Sequence, residues 1–114
     1  MLVVDSSVWI DFFNAADEPA AQLLEHLLDR GEVRLVVPDL VLFEVLRGFR
    51  HERDFRQART LLQTLSIEPI GGTEQALAAV DHYRGLRAAG ITVYSAIDVL
   101  VASFCIERDY ALLH

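Results

Sequence analysis

Three carboxylates stand in apolar surroundings along this chain: Asp5 after Leu-Val-Val, Glu44 inside LVLFEVL and Asp98 inside AIDVLVA. A charged carboxylate taken out of water is costly unless something compensates it. Each has a local explanation. Asp5 can cap the helix that follows it, Ser95-x-x-Asp98 matches a capping box, and Glu44 can pair with Arg47 at i+3. Brought together, they would do more. Two carboxylates about 4 Å apart repel by roughly 4 kcal/mol at an effective dielectric near 20, so three converge only around a proton or a cation. Oxygen ligands with no His or Cys nearby favour a hard ion, Mg²⁺ or Mn²⁺. Such an ion acidifies bound water and stabilises charge developing on a phosphoryl oxygen, the chemistry of phosphodiester hydrolysis.

Whether the three acids meet depends on the elements that carry them. Leu2, Val3 and Val4 form a continuous apolar run, as in a strand buried on both faces. It stops at Asp5 and two serines, a helix start. SSVWIDFFN then reads as a short helix burying Val8, Trp9, Phe12 and Phe13, with Asp11 toward solvent. Pro19 suits the first turn of a second helix running to about Arg30, with Leu23, Leu24, Leu27 and Leu28 as its stripe and Gly31 as its stop. Arg34–Val37 is a second strand ended by Pro38, and Asp39 caps a third helix, LVLFEVLRGF. A fourth helix spans Glu52 to Thr64, and IEPI at residues 67–70 is a third strand. Thr73 caps a long helix to about Ala89 with Leu77, Val80 and Leu86 inward. ITVYS is an extended link, AIDVLVASFCIERD the last helix and YALLH a final strand. This order, with no hairpin signal, calls for a parallel sheet of about four or five strands with helices on both faces. Asp5 at the end of strand one, Glu44 in the helix after strand two and Asp98 early in the last helix then share the carboxyl-end face, where such sheets bind ligands.

Composition bounds the reading. At 114 residues the chain is one domain. Its apolar content is 53% and its mean hydropathy +0.29, high enough to suggest apolar surface left for a partner. No apolar run reaches the ~18 residues of a membrane span, and Asp5 and Asp11 break up any signal peptide. The single Cys105 falls in an apolar helical pattern, as a buried hydrophobe would. The expectation is an intracellular, cytoplasmic protein in a reducing compartment. A net charge of −7 argues against a nucleic-acid partner, since phosphates attract cations. Its distribution qualifies that: there is no lysine, and five of the ten basic residues fall between Arg47 and Arg59. A polyanion would bind there or through a metal.

VVDSSVWIDFF, PDLVLFEVLRGFR and YSAIDVLVASFCIERDYALLH, with their spacing, together resemble a PIN-domain ribonuclease, and within that superfamily the VapC toxins of bacterial type II toxin–antitoxin modules. The resemblance covers essentially the whole chain. It implies a three-layer α/β/α sandwich, Mg²⁺- or Mn²⁺-dependent cleavage of RNA, homodimerisation and inhibition by a VapB-like antitoxin. The family's three acids fall on Asp5, Glu44 and Asp98, with Asp5 and Asp98 holding the metal and Glu44 binding it directly or through water. Ser6 would help hold the site and Ser95 caps the helix bearing Asp98. The family also carries an acidic motif of the D-x-D-F kind after the last strand, whereas this sequence stops at His114. Asp109, eleven residues along from Asp98 and so about 16 Å away on a helix, cannot replace it. The expectation is a single PIN domain over residues 1–114, either trimmed at its C-terminal end or one acid short.

Arg47, Arg50, Arg53, Arg56 and Arg59 recur every third residue and so drift about 60° per step around a helix. They read as a solvated surface with Glu52 and Asp54 as partners, within which Arg47 and Arg50, nearest Glu44, are candidates for contact with RNA phosphates or the antitoxin. The histidines have no ligand-like spacing, and Tyr83 and Tyr94 suit the core or an interface. Aspartyl-phosphate chemistry fits poorly, because the second Asp it needs is Ser7 and the lysine it uses is missing. The competing reading is a PIN-like domain that binds or assembles without catalysis.

Overall fold

The centre of the fold follows from two short runs of β-branched residues. In the computed structural model, which describes residues 1–92 and 95–114, Leu2–Val4 form β1 and Leu35–Pro38 form β2. Neighbouring residues on a strand point to opposite faces. Val3, Val4, Val36 and Val37 are all fully buried, so both faces of the sheet are covered. Ser66–Glu68 form β3 and Ala111–Leu113 form β4. All pairings are parallel, and the strand order is β3-β2-β1-β4. The chain steps outward from β1 to β2 to β3 and then returns to lay β4 on the other side of β1. The reversal falls between β1 and β4, the place where an open parallel sheet leaves a crevice for ligands.

Helices fill the connections: α1 (Ser6–Phe13), α2 (Pro19–Arg30), α3 (Asp39–Leu46), α4 (Glu52–Gln63), α5 (Thr73–Ala88) and α6 (Ala96–Arg108). The α2 boundaries match the punctuation read from the sequence, with Pro19 in the first turn and Gly31 closing the helix at φ 66°. Trp9, Leu24, Val41, Val45, Leu62, Ile70 and Val101 join the strand valines in one core. Trp9 stacks on Phe13 at 6.0 Å and Phe13 meets Phe49 edge-on at 5.5 Å, which fastens α1 to the segment after α3. Cys105 is buried as expected, and burial pushes its thiol up.

Several local expectations are corrected. Asp39 is not the cap of α3 but its first residue; Pro38 occupies the cap position. The Asp39 carboxylate instead accepts the Ile70 backbone N–H at 3.1 Å, tying the loop after β3 to the end of β2. Thr73 likewise opens α5 while Gly72 sits at its cap with φ 115°, a conformation open to glycine. Leu77 and Val80 point outward, 62% and 50% exposed. The reason is that α5 packs chiefly on α6 and its buried residue is the small Ala79, while Leu86 is partly buried. Leu23 on α2 is also exposed, because Ala21 and Leu24 carry the buried stripe. The link over residues 91–95 includes Val93 and Tyr94, which lie outside the described residues, and with them the reading of Tyr94. Among the described residues, no helix is long and apolar enough to cross a membrane.

Candidate active site

Asp5 is placed by two elements at once. Its backbone N–H donates to the Leu113 carbonyl at 2.9 Å, extending the β1–β4 ladder by one step. Its carboxylate caps α1, accepting from the Ser7 hydroxyl at 2.6 Å and the Ser7 N–H at 3.4 Å. The cap fixes the orientation of a side chain that only half emerges from the protein.

Glu44 is half-buried on α3, and its partner is not Arg47. The buried Ser6 hydroxyl donates to Glu44 Oε1 at 3.0 Å, so the residue after the first acid holds the second. Arg47 turns away, its guanidinium 5.6 Å from the Phe43 ring centroid. Asp98 lies in the first turn of α6, and its N–H donates to the Ser95 hydroxyl at 3.4 Å, so Ser95 caps that helix as expected. Although Asp98 is largely open to solvent, its carboxyl is pushed up from the ordinary aspartate range, by partial desolvation first and by the negative charge of Asp5 second. The ends of β1 and α6 therefore present two carboxylates close enough to feel each other, on the crevice between β1 and β4. Asp109 caps the far end of α6 in a left-handed conformation, φ 57°, and takes no part.

Among the described residues, no three His, Cys, Asp or Glu side chains lie close enough to hold one ion together. Two carboxylates are what Mg²⁺ commonly takes from a protein, keeping waters in its other positions. Asp5 and Asp98 suit that role, and Glu44 stands back on its serine. Two residues were not anticipated: Ser7, whose hydroxyl makes the short bond to Asp5, and Phe43, which precedes Glu44 on α3 and is 60% exposed. The second could have been read from helical spacing. Phe43 lies between Val41 and Val45, the two buried positions of α3, and so about 200° around the helix from each.

A parallel sheet ordered β3-β2-β1-β4, with Asp5 and Asp98 near each other at its switch point, defines the class as an open α/β domain. The chain belongs to the PIN domain family, whose profile matches residues 2–114. Ribonuclease VapC11 of Mycobacterium tuberculosis is 27% identical over 114 residues, covering 100% of this chain and 85% of that protein. Among solved structures, VapBC2 from Rickettsia felis bound to a promoter DNA fragment aligns with a TM-score of 0.75 at 16% identity, over 97% of this chain and 84% of that one. VapC20 of Mycobacterium tuberculosis, a sarcin–ricin-loop-cleaving toxin, aligns at 0.71 and 17% identity, over 96% and 85%.

Proposed function

We propose that this chain is the toxin of a type II toxin–antitoxin module, a divalent-metal-dependent endoribonuclease acting in the cytoplasm. The observation that carries the reading is that Asp5 and Asp98 stand together at the switch point of a PIN-domain sheet, near enough for the Asp5 charge to reach the Asp98 carboxyl. Asp5 and Asp98 would hold Mg²⁺ or Mn²⁺. When bound, the ion supplies positive charge to the scissile phosphate and makes water more acidic. The chain's own residues then position the reaction. Ser6 occupies Glu44 Oε1, leaving Oε2 to accept a hydrogen bond from the attacking water and aim its oxygen at phosphorus. The Asp5 cap and the Ser95 cap keep the two metal-facing carboxylates on rigid elements.

A VapB-like antitoxin and a second copy of the chain are the proposed protein partners. Arg50 borders a cavity of about 530 Å³ that Phe12, Phe13 and Phe49 line, a setting for an antitoxin segment. The absence of a three-acid cluster among the described residues favours a second reading, a PIN-like module that binds without cutting. One experiment separates them. Asp5→Asn and Asp98→Asn should each lower RNA cleavage by about a hundredfold or more, as expected when a metal's charge stabilisation is lost, relieve growth inhibition, and leave the circular dichroism spectrum unchanged. Toxicity persisting in both variants, or Mn²⁺ binding by calorimetry that neither substitution weakens, would rule out this site.

A further inference from the structure

We propose that the exposed ring of Phe43, held by Arg47 on the helix that also carries Glu44, is a stacking platform for a base of a single-stranded RNA substrate. The inference rests on the ribonuclease reading above and assigns it a substrate contact. A lone exposed apolar side chain needs no explanation. Phe43 is different in its setting. It is 60% exposed, the most open aromatic ring among the described residues, and it immediately precedes Glu44. The Arg47 guanidinium lies over the ring at 5.6 Å, which fixes the ring and brings a cation to it.

The surroundings extend the same chemistry. Phe43 and Arg47 border a groove of about 450 Å³, floored by Leu46 and Phe55 and closed by Arg59. That volume falls in the range of small-ligand pockets, roughly 300–1,000 Å³. Unpaired bases are recognised by stacking on aromatic faces and guanidinium planes, with arginines meeting the phosphates. Here ring, guanidinium and apolar floor stand together at α3, the helix that also carries Glu44, about 100° around it from that acid. Charge selects the occupant. The chain carries a net −7, yet this groove is edged by two arginines for which no carboxylate ion pair forms among the described residues. A polyanion fits it better than a second copy of an acidic protein.

The test uses short single-stranded oligoribonucleotides carrying 2-aminopurine at successive positions, with wild type, Phe43→Leu and Phe43→Trp, and with Asp98→Asn introduced for the binding measurements. At one position, binding should quench the 2-aminopurine fluorescence with the native ring and with Trp, and not with Leu. Phe43→Leu should weaken binding and raise KM for cleavage roughly tenfold, within the 1–3 kcal/mol measured for a stacked base, with kcat little changed and the melting temperature preserved. Wild-type cleavage that Phe43→Leu leaves untouched overturns the platform alone. Ring-dependent quenching without metal-dependent cleavage overturns the ribonuclease reading and leaves the platform standing. Loss of self-association or of antitoxin binding in Phe43→Leu, with RNA binding intact, would assign the groove to a protein partner and overturn the proposal.

Discussion

At the scale of single residues, Asp98 shows what it costs the fold to gather acids. Desolvation and the Asp5 charge both favour its neutral form in the folded chain. The folded protein therefore keeps a proton that the unfolded chain releases nearer the ordinary value of 3.8. What Asp98 contributes to stability is complete below that value and is lost as pH rises through the elevated folded one. At neutral pH the ionised side chain opposes folding. Asp98→Asn should accordingly melt at a higher temperature than the parent at neutral pH in chelator, with the gap closing below about pH 4. Adding Mn²⁺ should raise the parent's melting temperature by mass action and leave the variant's unchanged. A variant that melts lower than the parent at neutral pH in chelator would remove the basis for a shared site. Asp5 carries a second task, since its carboxylate also takes the Ser7 hydroxyl and caps α1.

At the scale of elements, the correction at Asp39 carries a prediction. A helix cap and a tether to Ile70 N–H make different demands on the side chain. Asp39→Asn keeps a carbonyl oxygen for that N–H, whereas Asp39→Ala strands it. The Ala variant should lose about 1–2 kcal/mol, the penalty of an unmet partly buried donor, read as a lower urea midpoint at unchanged m-value. The Asn variant should stay close to the parent, and equal losses in both would point to the charge and not the bond. The β-branched runs, Pro19 and Gly31 announce strands and helix ends because their meaning is local. Asp5 and Asp98 are legible as candidate site residues for the same reason, since element ends place them. The Ser6–Glu44 bond joins residues 38 apart, and no spacing rule reaches across α1 to α3. The inward face of α5 is not legible, because periodicity cannot say what a helix packs against: Ala79 is buried, whereas Leu77 and Val80 are exposed.

For the whole molecule, the question is how an acidic domain meets a polyanion. Ten arginines and no lysine stand against seventeen acids, so repulsion at a distance must give way to local attraction within a screening length of about 10 Å. Half of the arginines lie between Arg47 and Arg59, but they are not equivalent. Arg56 is paired with Glu52 at 3.0 Å and Arg53 approaches Asp54 at 3.8 Å. Among the described residues, no carboxylate ion pair forms at Arg47 or Arg50, and these two stand nearest Glu44 along the chain. Each phosphate contact on a single strand contributes about 0.7 to the slope of log affinity against log salt. Arg47→Ala with Arg50→Ala should therefore flatten that slope by about 1.4 if each meets one phosphate. Arg53→Ala with Arg56→Ala removes the same formal charge from cations already engaged and should leave the slope nearly unchanged. The comparison holds net charge constant, so it separates contact from general electrostatics. An equal change in both double variants would mean that RNA senses only the overall charge, and an unchanged slope in the first would remove Arg47 and Arg50 from the path of the RNA.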